Sequence, residues 1–197
     1  HPRGRLPRRG GTLAAFLGLD VLARGFEACI YSYDLHLFDP TWSELDTPSL
    51  TAKLRQQLAY KRGVKFRTAT EAYIRLLQHR GELRFADLSL DLLRTYFDRK
   101  LPVLAGLSAT YLYRTMREYA IAPNQTAYHD LQGEPAGHFV VLYGLSESGV
   151  RVADPYRANP FEGHFYEVNP QRLLNAILLG IATYDANLLI VSPPLQQ

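Results

Sequence analysis

Residues 133–156 read GEPAGHFVVLYGLSESGVRVADPY, and this stretch decides how the chain folds. Two apolar, β-branched runs, HFVVLYGL (138–145) and GVRVAD (149–154), lie on either side of a short polar segment. Glu147, Ser148 and Gly149 supply a tight turn, so the pair predicts a β-hairpin. His138 opens the first strand. Asp154 closes the second, just before Pro155. A hairpin places the start of one strand beside the end of its partner, so these side chains can meet across the pair. A carboxylate that fixes an imidazole tautomer is the acid–base part of a nucleophilic triad. It is also how a strand-end histidine is held for purely structural reasons, and the spacing leaves both readings open. Gly137 leaves room beside the ring, and Pro155 stiffens the backbone past the carboxylate.

Downstream of the hairpin, HFYEVN (164–169) reads as a strand. Asn169 with Pro170 caps a helix, QRLLNAILLG (171–180), and ANLLIVS (186–192) reads as a last strand. Upstream the text is mainly helical. TLAAFLGLDVLARG (12–25) has apolar residues at helical spacing and ends on Gly25. FEACIYSY (26–33) reads as a strand, and DLHLFDPTW (34–42) as a loop around Pro40. Thr47 with Pro48 predicts an N-cap and a helix to about Arg62. Thr68 and Glu71 have capping-box spacing and predict a helix opening at AYIRLLQHR (72–80), stopped by Gly81. Ser89 caps SLDLLRTYFDRK (89–100), which stops before Pro102. LPVLAGLS (101–108) reads as a buried strand, residues 109–120 as strand or helix, and residues 121–137 as a polar loop.

Helices first, then a mostly antiparallel sheet with one late helix, is the order of an α+β fold and not of an alternating βαβ one. The 197 residues, 47% hydrophobic and 21% charged, suit a single domain over residues 12–197. No apolar run approaches the ~18 residues of a membrane span, so none is expected. The net charge of +3 is concentrated in an arm, HPRGRLPRRGG (1–11), with four arginines and no acid. Nucleic-acid binding requires a basic face on the folded body, and no nucleic-acid partner is expected; the arm reads as flexible and solvated. The single cysteine, Cys29, rules out an internal disulfide and points to a reducing, cytoplasmic setting. The chain begins with His1 and its only methionine is Met116, so a processed product or fragment is expected.

Other constellations carry less. Cys29 lies mid-strand between Ala28 and Ile30, with no helix N-terminus or cation to activate it, and reads as core. His129, Asp130 and Glu134 read as a solvated loop, and no histidine spacing forms a metal set, so no metal or cofactor is expected. Ser108, Thr110, Tyr111 and Tyr113 either line a pocket or form an aromatic sheet face. The charges of KLRQQLAYKRG (53–63) read as the solvated side of a helix.

GHFVVLYG (137–144) followed by VRVADPY (150–156) resembles the His and Asp blocks of papain-like cysteine peptidases. The closest likeness is to the bacteriocin-processing leader-peptide peptidases often fused to exporters. RGFEACIYSYDLHLFDPTW (24–42), PVLAGLSATYLYR (102–114) and IATYDANLLI (181–190) are similar to a bacterial peptidase-like family related to that branch. The resemblance implies a papain-like cysteine proteinase fold acting on a peptide or amide bond of a peptide or protein substrate. His138 is then the general base and Asp154 the residue that orients it. In the family the nucleophilic cysteine opens an N-terminal helix in a Cys-Gly-Pro-like context, with an oxyanion-hole glutamine before it. This chain has neither, so the resemblance places the nucleophile upstream of His1. The alternative is an inactive relative that binds a peptide or partner protein in the former cleft. Without the catalytic helix an apolar groove is expected to be open, favouring a homodimer.

Overall fold

The computed structural model describes residues 12–122 and 125–194; the basic arm, residues 1–11, lies outside them. Helix α1, Ala14–Ala23, ends where Gly25 takes φ +85°, and strand β1 follows at Glu27–Ser32. Helix α2 runs Thr47–Gln57. Its cap is Asp46, whose carboxylate accepts from Ser49 N at 2.9 Å, one residue before the expected Thr47. Backbone turns from Tyr60 and Lys61 back to Gln57 end it five residues short of Arg62.

Helix α3, Val64–Gln78, begins well before the capping box expected at Thr68 and Glu71. Gly63, at φ +130°, turns the chain into it. The buried stripe Phe66, Ala69, Tyr73, Leu76 and Leu77 has helical spacing, and burying that whole stripe outweighs a local capping signal. Ser89 caps α4, Leu90–Asp98, as expected, its hydroxyl accepting from Leu92 N at 3.1 Å.

Four elements were not legible in the sequence. Glu82–Arg84 forms a short strand, β2, between α3 and α4. After β3, Val103–Ser108, the ambiguous stretch splits into a one-turn helix, α5, Ala109–Tyr113, and a strand, β4, Glu118–Ala122. The expected polar loop contains β5, Gln125–Tyr128, paired to β4 as a separate hairpin. The remaining elements are β6, Gly137–Leu145; β7, Val150–Ala153; β8, Phe165–Val168; α6, Pro170–Leu179; and β9, Asn187–Ser192. Asn169 caps α6, accepting from Arg172 N at 3.2 Å.

Seven strands form one sheet in the order β2-β1-β9-β3-β6-β7-β8. Only β1 and β2 are parallel, so the α+β class with a mostly antiparallel sheet holds. The helices are not segregated from the sheet, however. β1 is placed next to β9, so the first and last strands of the described chain pair within the sheet, one strand in from the β2 edge. One face packs α1 and α3 over Ala28, Ile30 and Leu189. The other packs α4, α5 and α6 over Leu107, Val140, Leu142, Val152 and Leu188. Each fully buried leucine, such as Leu107 or Leu142, contributes about 1.5–3 kcal/mol of transfer free energy.

The register brings the chemistry to one edge. Ser32 faces Asn187, Gly106 faces Asn187, and Ser108 faces Gly137. Because neighbouring strands run antiparallel, the ends of β1, β3 and β7 and the starts of β9, β6 and β8 lie together. Asp34, Asp185, His138, Asp154 and His164 all sit in the segments that leave or join the sheet there. No helix among the described residues is long and apolar enough to cross a membrane.

Candidate functional site

His138 and Asp154 meet as the hairpin spacing predicts. His138 Nε2 lies 2.8 Å from Asp154 Oδ1. Both point to the sheet face that carries Val140, Leu142, Val150 and Val152, since side chains alternate along a strand. The Asp154 side chain is fully buried, whereas 21% of the His138 side chain reaches solvent.

The carboxylate is held from four directions. Oδ2 accepts from the Tyr113 hydroxyl at 2.6 Å and from the Tyr166 hydroxyl at 2.7 Å. Oδ1 accepts from Tyr156 N at 2.8 Å as well as from the imidazole. The backbone is pinned too: Asp154 N donates to His164 O at 2.7 Å, and His164 Nδ1 lies 2.8 Å from Asp154 O. Burial pushes the Asp154 carboxyl up, but the hydrogen bonds from Tyr113, His138, Tyr166 and Tyr156 outweigh it and hold it below the usual carboxylate range. Burial and the bond to Asp154 push both tyrosine hydroxyls up, so they remain donors.

An ionised carboxylate only accepts, so Nε2 carries the proton and Nδ1 is left with its lone pair. Among the described residues nothing hydrogen-bonds Nδ1. The site therefore offers a fixed tautomer with its basic nitrogen available, in an aromatic setting where the Tyr113 ring centroid lies 6.0 Å from that of His138.

Other residues singled out in the sequence go elsewhere. Cys29 is mid-strand in β1, opposite Glu82 and Ile190, with burial pushing its thiol up to about 11. Strands β9 and β3 lie between it and β6, a separation of about 14 Å at the usual strand spacing, so it cannot serve His138. His129 Nδ1 accepts from Leu131 N and Gln132 N, and Arg117 donates to Asp130 O, so that loop is tied by its own backbone. No cluster of metal-binding side chains occurs among the described residues. Ser108 caps α5, Thr110 accepts from Ala136 N, and the Tyr111 hydroxyl accepts from Asn175; of that group only Tyr113 reaches the site. Leu54 and Gln57 are the buried side of α2, and the charges around them are exposed.

The structure adds one group that sequence reasoning missed. Asp185, 5% exposed, precedes β9 and lies against Gly137, where any Cβ would overlap its carboxylate. Gly106 is needed for the same reason, because a Cβ there would overlap Asp185 O and press on Asn187 Oδ1. Burial pushes the Asp185 carboxyl up to about 7; Thr183 and Lys65 pull it down, and Asp34 adds to the rise. It occupies the face opposite the imidazole, since Gly137 and His138 alternate. Nothing in the text TYDAN (183–187) marks this burial, because two glycines distant in sequence create it.

No protein-family model, no curated protein and no solved structure matches this chain.

Proposed function

We propose that the protein is a papain-like thiol hydrolase acting on a peptide or amide bond, with its nucleophilic cysteine supplied from the chain upstream of His1. The observation that carries this reading is the 2.8 Å contact between a partly open imidazole and a buried, four-times-bonded carboxylate. His138 takes the thiol proton on Nδ1 and returns it to the leaving amine. Asp154 keeps the proton on Nε2 and stabilises the imidazolium in between.

A groove supports an upstream segment. On the sheet face that α1 occupies, Leu17, Leu104, Phe139, Val141 and the 73% exposed Phe165 enclose about 570 Å³ of nearly wholly apolar space. Thr12 lines one part of it, and it extends to Asp154 and Pro155. Among the described residues no side chain fills this apolar groove, and an exposed apolar surface of this kind favours self-association. Light scattering is expected to give a dimer at high protein concentration and a monomer for Phe165→Lys; a monomer throughout would refute the self-association.

The hydrolase reading is tested by expressing the gene with its upstream coding sequence and adding a thiol-directed acyl probe. An upstream cysteine should be labelled, and His138→Ala should lower the labelling rate by about 100-fold or more. Absent labelling, or labelling indifferent to His138→Ala, overturns it. The remoteness of Cys29 from the dyad favours a second reading, a non-catalytic relative that holds a peptide or partner protein in the cleft. An upstream coding sequence without cysteine would select it.

A further inference from the structure

At the same sheet edge, beyond the end of β1, lies a cavity of about 430 Å³. Its apolar walls are Phe38, Phe85 and Leu178, and its polar lining includes Asp34, Asp39 and Asp87, with no lysine or arginine. Asp34 is 2% exposed. Its Oδ1 accepts from His36 N at 2.9 Å, but Oδ2 is buried and no described residue donates to it. The Tyr33 hydroxyl, on the same lining, is also buried without a partner. Asp39 is held ionised by the hydroxyl and N–H of Thr41. A buried carboxylate oxygen without a donor is costly, and here it lies beside an unpartnered phenol, two solvent-reachable carboxylates and an aromatic wall. Lys61, whose charge acts on Asp39, does not line the cavity and donates to His36 O at 2.7 Å.

A group that fits has an apolar stem to lie on Phe38 and Phe85 and several N–H donors at its tip. An arginine or lysine side chain has this form, and the guanidinium plane also stacks on aromatic faces. The cavity opens at the end of β1, three strand spacings or about 14 Å from β6 and His138. An extended peptide covers that distance in about four residues.

We propose that this cavity binds a basic side chain of the peptide substrate, about four residues from the bond presented to His138. The proposal rests on the peptide-substrate reading above and names the substrate class, a peptide with an arginine or lysine at that distance.

The test measures binding only, so it stands apart from the thiol-probe result. Short acetylated, amidated peptides that differ only in arginine or norleucine at one position are titrated against the chain. The readout is fluorescence of Trp42, the single tryptophan, which sits in the turn that follows Asp39. The arginine peptide should bind about 10- to 100-fold tighter than the norleucine peptide. Asp39→Asn with Asp87→Asn should remove most of that difference while unfolding at the wild-type temperature, since asparagine retains the cap on Thr41. Equal binding of the two peptides overturns the proposal, as does a preference that survives both substitutions. Agmatine, a free guanidinium amine, is the control: binding as tight as that of the arginine peptide would make the cavity a small-amine site and overturn the peptide assignment.

Discussion

Asp154→Ala should destabilise the protein by about 3–5 kcal/mol near pH 7, while His138→Ala should cost only about 1 kcal/mol. The asymmetry follows from who depends on whom. Removing the imidazole deletes one of four donors to the carboxylate and leaves Tyr113, Tyr166 and Tyr156 N in place. Removing the carboxylate leaves two inward-facing tyrosine hydroxyls without their acceptor and frees the turn after β7. The effect has a defined pH dependence. The folded Asp154 carboxyl titrates below the ordinary range, so its stabilisation is fully present above the unfolded value near pH 4. It is lost as pH falls through the lower folded value. Urea unfolding at pH 7 and pH 3 should therefore show a large gap between wild type and Asp154→Ala that narrows on acidification. A gap under about 1 kcal/mol at pH 7 would contradict the four-donor network. The same asymmetry makes His138→Ala the variant with which to probe chemistry, because it should remain folded.

Asp185→Asn should have the opposite sign. The folded carboxyl is pushed up to about 7 by burial, against about 4 when unfolded. Between those values the native state holds a proton that the unfolded chain has released, so stability falls as pH rises from about 4 to about 7. The full penalty, about 2–4 kcal/mol, is present above pH 7. Asparagine keeps the shape beside Gly137 and never ionises. The variant should melt at a higher temperature than wild type at pH 8, with the advantage shrinking through pH 5 and vanishing near pH 4. Melting curves for the two proteins that stay parallel from pH 5 to pH 8 would show that Asp185 does not titrate there. If the slope is found, the edge that carries His138 also carries a buried acid whose charge changes near neutrality.

These two carboxylates mark how much was legible. The hairpin was readable because its signals are local: two β-branched runs, a glycine turn, and alternation that places His138 and Asp154 on one face. The caps at Ser89 and Asn169 were readable for the same reason, since a hydroxyl or amide three residues from a free N–H needs no tertiary partner. The start of α3 was misjudged because its apolar stripe, not the Thr68 and Glu71 spacing, decides where the helix begins. Strand β2 was missed because three residues, Glu82, Leu83 and Arg84, carry no period, and β1 alone recruits them by parallel pairing.

By itself, then, the sequence determined the elements whose hydrogen bonds close within a few residues, the mostly antiparallel class, and the proximity of the His138–Asp154 pair across one turn. Only the tertiary structure decided that Asp154 is an ionised hub for Tyr113 and Tyr166, that Asp185 is buried against Gly137, and that Asp34 faces a cavity three strands away. Those relations depend on residues 29 to 165 positions apart being placed side by side in the sheet. Desolvation and long-range hydrogen bonding set the charge of each carboxylate there, and neither has a period that a linear text can show.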